Sequence, residues 1–219
     1  MFKIASAILL VLSFWAFSCT GSALAKENDI ETLKNSVEAD PRDYAPHFGL
    51  GQAYYNMGLY DKAIAEYQKA LGLEPLFAAA YKGLGSSFGA LGRFDEAIEA
   101  FKEATRLGPS YAEAQFGLGW TYAQLKNYEK ALPPLLIAIK MDPKMVVGHF
   151  TLGQVYAGLN EPSKAIKHFR QVLEISPIHP DAYFHMGESF AQQNKFEEAV
   201  QAFRDTLRLS PNYFEAYMG

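Results

Sequence analysis

The chain has 219 residues, 49% hydrophobic and 20% charged, which is ordinary for one or two folded soluble domains and enough to bury a real core. Its net charge of -4, with 20 Lys and Arg scattered among 24 Asp and Glu, provides no electrostatic footprint for nucleic acid. A single cysteine, Cys19, rules out a disulfide framework, so packing must supply the stability.

Residues 1–25 differ in kind from the rest of the chain. After Lys3 come 22 uncharged residues, Ile4 to Ala25, first apolar and then small and polar. That is the layout of an export signal. Three readings stand side by side. Ala23-Leu24-Ala25 fits a signal peptidase site, which would leave Lys26 as the mature N-terminus and remove Trp15 and Cys19. The uncharged run is also long enough to stay as a membrane anchor, for which about 20 residues suffice. The third reading lipidates Cys19, although bulky Phe17 stands where a bacterial lipoprotein box has a small residue. All three place the rest of the chain outside the cytosol, periplasmic or secreted in a bacterium, and membrane-bound only if the segment is retained or lipidated.

Residues 26–43 contain one short amphipathic stretch, with Leu33 and Val37 on one face, and read as a lone helix that caps the residues C-terminal to it. From there Pro41, Pro75, Pro109, Pro143, Pro177 and Pro211 recur every 34 residues, and three further columns keep the same period. These are Gly51, Gly85, Gly119, Gly153 and Gly187; Ala63, Ala97, Ala131, Ala165 and Ala199; and Tyr54, Phe88, Tyr122, Tyr156 and Phe190. A fixed period of this size indicates a stacked array. Within 78–111, Tyr81, Leu84, Gly85 and Phe88 form one helical stripe, and Ala97, Phe101 and Ala104 form a second beyond a turn. Each unit therefore reads as a helical hairpin, with glycine and alanine where the helices approach closely, aromatics beside them, and proline stopping the second helix.

These columns resemble the tetratricopeptide repeat. The resemblance implies an all-α, right-handed α-solenoid of five repeats, 44–77, 78–111, 112–145, 146–179 and 180–213, after the capping helix; 214–219 would begin an incomplete sixth. The family's early tryptophan is replaced by His47, Tyr81, Gln115, His149 and Tyr183. Pro162 stands in for the turn aromatic of the fourth repeat, and Ser163 is expected to cap the helix after it. Pro133 and Pro134 should distort the first turns of their helix unless they lie at its very beginning, and they make the third repeat the least regular.

Trp120 follows Gly119 and so lies about 100° around the helix from the hairpin stripe. It shares a second stripe with Phe116 and Ala123. In proteins similar to this one, that face of the first helix lines a concave groove where partners bind. Carried onto this chain, the groove comprises Phe48, Gln52, Tyr55 and Asn56; Lys82 and Ser86; Phe116, Trp120 and Gln124; Phe150 and Gln154; and Phe184 and Glu188. The phenylalanines would be aromatic rungs, with Ser86, Gly89 and Ala90 leaving space on one side of Trp120 and Ala157 and Gly158 on the other. Trp120 as packing between adjacent first helices is the competing reading. The family's clamp for C-terminal carboxylates needs a set of lysines and asparagines on this face, where Lys82 is the one lysine among the residues named.

His47 and His149 read as packing residues, and His179, His185 and Glu188 match no metal or protease spacing. Gly-Leu-Gly at 49–51, 83–85 and 117–119 precedes no phosphate-loop lysine, and runs such as 95–106 read as the solvated face of a second helix. No constellation for catalysis and no cofactor site stands out. The sequence thus predicts a non-enzymatic adaptor that holds a protein or peptide partner; the resemblance extends this to assembly of envelope complexes such as pili, cytochromes or outer-membrane machinery. A small-ligand or glycan-binding subunit using Trp120 and the phenylalanines as a stacking platform is the alternative. At the C-terminal end, Val200, Phe203 and Leu207 form a face that the few residues with Tyr217 should leave open, which predicts self-association or a longer natural chain.

Overall fold

A computed structural model of the chain describes residues 29–217. The expected export segment with Trp15, Cys19 and the Ala25–Lys26 junction, and the end of the expected sixth unit, lie outside the described residues. Helix α1 covers 29–39 and is followed by α2 (Tyr44–Asn56), α3 (Tyr60–Leu73), α4 (Ala78–Ala90), α5 (Phe94–Leu107) and α6 (Ala112–Gln124). Then come α7 (Tyr128–Met141), α8 (Val146–Gly158), α9 (Pro162–Ile175), α10 (Pro180–Gln192), α11 (Phe196–Leu209) and a short 3-10 turn, Phe214–Tyr217. Among the described residues there is no strand. No helix among them is long and apolar enough to cross a membrane.

The period read from the sequence sets where these helices begin and end. Each second helix stops two residues before a proline of the periodic column, because the residue preceding proline avoids helical geometry; Glu74, Gly108, Asp142 and Ser176 all lie outside the helical region there. Each turn between a first and a second helix carries one left-handed residue, Gly58, Gly92, Lys126, Asn160 or Asn194, with φ between 56° and 73°. This closes the first helix with the bonds of a left-handed C-terminal cap.

The contacts divide the chain into two compact units, one ending at Leu91 and the other beginning at Gly92. In the first, α2 and α3 form a hairpin and α4 packs on α3 and beside α2. Its centre is Tyr67, 2% exposed. A Cβ on Gly51 would come within 2.6 Å of that ring and one on Gly83 within 2.4 Å, so the ring lies directly on bare backbone of both α2 and α4. Helix α1 covers α2 through Leu33, which lies over Gly49.

The second unit repeats this device. Helices α6 and α7, α8 and α9, and α10 and α11 pair as hairpins, with α5 packed on α6, α7 on α8 and α9 on α10. Gly117 lies against Phe101, Gly119 against Leu135, Gly153 against Phe169 and Gly187 against Phe203. Buried polar groups are served locally: the hydroxyls of Thr121, Ser189 and Thr206 donate to carbonyls one turn back, and Gln115 donates to the Pro109 carbonyl. Deep in the fourth repeat the His149 ring meets the His168 ring, Nδ1 to Nδ1 at 3.1 Å, while its Nε2 donates to the Pro143 carbonyl.

Three expectations need correction. Ser163 does not cap α9: Pro162 is the first helical residue and Glu161 the cap, a position where proline's fixed φ fits and its missing N–H costs nothing. Pro133 and Pro134 do not break α7, which runs unbroken over 14 residues. The carbonyls they leave without a helical donor belong to Glu129 and Lys130, both exposed, where water can serve them. At the C-terminal end the face of α11 is partly closed, because Ala216 is buried in one cluster with Phe203. Val200 of the expected face stays exposed, as do Phe196, Phe214 and Tyr217.

Candidate functional site

On α2, Phe48, Gln52, Tyr55 and Asn56 succeed one another at spacings of four, three and one, which puts them on one face. Ala79, Lys82, Gly83 and Ser86 do the same on α4. Because α2 and α4 lie side by side, the two faces meet around a cavity of about 280 Å3. All six first-unit residues singled out from the sequence, Phe48, Gln52, Tyr55, Asn56, Lys82 and Ser86, line it. Sequence reasoning misses Tyr67, Ala79 and Gly83 as lining residues. The position of Tyr67 in its repeat marks it as pure core; the signal is Gly83, whose missing side chain leaves the ring edge uncovered.

The chemistry of this cavity is that of a polar, aromatic-walled slot. Phe48 is held edge-on to Phe77 at 4.8 Å and tilted against Tyr67 at 5.8 Å, so it is a fixed wall. Tyr55 packs against Tyr60 at 5.4 Å; burial, then that neighbour, push its phenol above the ordinary value, so it stays a hydroxyl donor at neutral pH. Gln52 and Asn56 supply amides, which both donate and accept, and Lys82 is the one cation among the lining residues, with no carboxylate among them. The slot therefore suits a chain that offers backbone amides. Gln52 and Asn56 also line a second hollow of about 600 Å3 between α1 and α2, with Leu33 and Met57 as its apolar part.

In the second unit the expected residues keep their register on α6, α8 and α10 but are packed more tightly than a row of free rungs. Phe150 touches Phe169 at 5.8 Å, His179 at 5.1 Å and His185 at 5.7 Å. Phe184 meets His185 at 5.3 Å, Phe203 at 5.7 Å and Tyr213 at 5.0 Å. Both rings are half-buried seams between neighbouring repeats, and Phe116 packs against the core cluster around Leu135 and Leu152. Trp120 is half-buried as well, edge-on to Phe94 at 6.3 Å. The space expected beside Gly158 is taken by the Tyr128 ring, which would lie 2.4 Å from a Cβ there. Gln124, Gln154 and Glu188 are exposed, and Glu188 accepts from His185 at 2.7 Å.

His179 stacks on Phe150 and accepts from the Ala182 amide through Nδ1, which uses it as a helix cap. Among the described residues no three His, Cys, Asp or Glu side chains gather as a metal set.

Known proteins share both the repeat and this arrangement of helices. The family profile described as Tetratricopeptide repeat matches residues 44–76, 82–146 and 150–214. The crystal structure of YrrB, described as a TPR protein with an unusual peptide-binding site, is 25% identical, with a TM-score of 0.77 over 86% of this chain and 97% of its own. A crystal structure of the MamA protein is 26% identical, with a TM-score of 0.71 over 78% of this chain and 94% of its own. The Cut9–Hcn1 hetero-tetramer of APC/C, at 21% identity and a TM-score of 0.68 over 90% of this chain and 40% of its own, shares the fold. A search of curated proteins gave no match.

Proposed function

Because the chain belongs to the tetratricopeptide repeat family, we propose that it is an exported, non-enzymatic scaffold that holds an extended peptide segment of a partner protein on the exposed face of its first helices, in the assembly of an envelope complex. One observation carries this reading: six residues chosen from sequence alone surround one cavity that has aromatic walls, two amides and a cation. A strand of peptide backbone is read well by such a slot, because Gln52 and Asn56 can each bond an N–H and a C=O while the rings hold a side chain between them. The peptide-binding site named for YrrB points the same way. A glycan platform is less well supported, since the cavity offers amides strung along a helix and no carboxylate. Export rests on the residues from Lys3 to Ala25, with cleavage before Lys26, and self-association rests on the exposed Phe214 and Tyr217.

The test is recovery of partners from envelope extract by the wild-type protein, by Gln52→Arg, which fills the slot, and by Trp120→Ala. We expect recovery of the specific partner to fall about tenfold with Gln52→Arg, equivalent to about 1.4 kcal/mol, and less with Trp120→Ala. Equal recovery by all three would mean that the first-helix face is not the binding surface.

A further inference from the structure

The outward face of α7 is unlike that of the other second helices. At the two positions held by Leu136 and Ile137, α3 has Gln68 and Lys69, α5 has Lys102 and Glu103, α9 has Arg170 and Gln171, and α11 has Arg204 and Asp205. Three of those helices also pair a cation across one turn, Lys69 with Glu66, Lys102 with Glu99 and Arg208 with Asp205.

Helix α7 does neither. Leu136 and Ile137 are 41% and 38% exposed, Pro133 beside them faces solvent, and no charge occurs from Ala131 to Ile139. Lys130 and Lys140 bracket this stripe. The series 130, 133, 137 and 140 runs at spacings of three and four, so the two ammonium groups lie on the same face as the apolar centre and at its two ends. Both lysines are exposed and neither forms an ion pair with the described residues. The opposite side of the helix, Ala131, Leu135 and Ala138, is fully buried, so the apolar outer stripe is not a spare core face turned the wrong way.

We propose that this face of α7 docks an amphipathic helix of a partner protein whose apolar stripe is flanked by acidic residues. Charge complementarity selects the occupant: an apolar centre that ends in unpaired cations matches an apolar stripe that ends in carboxylates. From Lys130 to Lys140 the helix rises about 15 Å, which about three turns of a partner helix cover. A lipid surface is the poorer match, because few apolar side chains stand out on this face. The docking surface does not depend on the first-helix cavity, so Gln52→Arg should leave it intact.

The probe is a synthetic helical peptide with a leucine stripe flanked by glutamates, titrated into the full chain by fluorescence anisotropy, beside the same peptide with lysine flanks. The key variant replaces Leu136 by Lys and Ile137 by Glu, restoring the pair that α5 carries as Lys102 and Glu103 and therefore expected to fold. We expect the glutamate peptide to bind, the lysine peptide to bind at least about tenfold more weakly, and the double variant to lose about tenfold in affinity for the former. Lys130→Glu with Lys140→Glu should reverse the peptide preference. Equal binding of both peptides, no binding of either, or indifference to the double variant would overturn the proposal. So would binding of phosphatidylglycerol vesicles, or self-association, that needs Leu136 and Ile137 while the glutamate peptide does not bind.

Discussion

His47 in the first unit and His149 in the second hold the same place in their repeats, and each meets a side chain 19 residues further on. For His47 that partner is Glu66, whose carboxylate takes the imidazole Nδ1 at 2.6 Å and the Lys69 ammonium at 2.8 Å. For His149 it is His168, a second ring with no charge to offer. The backbone frame is the same, and the electrostatics are opposite. In the first pair burial works to raise the Glu66 carboxyl, but the hydrogen bonds from Lys69 and His47 outweigh it and hold it below the usual carboxylate range. In the second, burial first, then His149 and Lys167, push His168 down to about 4. When both rings are neutral, His149 donates through Nε2 to the Pro143 carbonyl, so its Nδ1 accepts and His168 is the donor between the rings. One repeat position thus meets a charged partner, Glu66, in one unit and a neutral, acid-sensitive one, His168, in the other.

The comparison is broken most severely by removing the ring that lies beside the second pair. Phe169 is fully buried against Gly153 and Phe150, and Phe169→Ala should cost about 3–5 kcal/mol, lowering the urea midpoint of the protein. A loss below about 1 kcal/mol would show that the hairpin can collapse into the gap. A milder break is acid. The folded His168 binds its proton less readily than the unfolded one, so its contribution is complete above about pH 6.5 and is lost as pH falls towards about 4. Discounted for partial solvent screening, this amounts to about 1–2 kcal/mol, read as faster hydrogen exchange in α8 and α9 between those pH values. Glu66 acts in the carboxylate range instead, so α2 and α3 should hold their protection until lower pH. His168→Glu copies the first pair into the second and should flatten the slope between about pH 6.5 and about 4; an unchanged slope would place the acid-sensitive group elsewhere. The smallest effect concerns the turns. The first two carry Gly58 and Gly92 in the left-handed region where the third has Lys126, so Lys126→Gly should stabilise by up to about 1 kcal/mol in thermal melts.

The sequence showed the helices well because the period tied the end of each second helix to a physical cause, the proline that follows it. That the six first-unit residues border one cavity was legible for a related reason: residues at helical spacing share a face wherever the neighbouring helix lies. What could not be read was how far a ring reaches. Tyr67 extends across Gly83 into the cavity, and Tyr128 fills the place above Gly158, because a missing side chain on one helix is used by a large one on another. Phe150 and Phe184 look like free rungs in the sequence because the stripe ignores His179, His185 and Tyr213, which come from the next turn of the array. Ser163 fits a cap by residue type, whereas the helix begins where Pro162 already has the right φ.

The rings seated on bare glycine have a consequence for how such a chain can diversify. Between Phe169 and Gly153, or Tyr67 and Gly51, there is no second side chain that could turn aside, so helix separation is gauged by the thickness of one ring. Every hairpin built to that gauge is interchangeable with its neighbours as a mechanical part, whatever its other faces carry. Change is then confined to surfaces the gauge does not touch, the open side of the first helices and the outer side of the second. Those are the surfaces on which Lys82 and Trp120, and Leu136 and Ile137, depart from their counterparts, so architecture and recognition can drift apart in a duplicated repeat without either damaging the other.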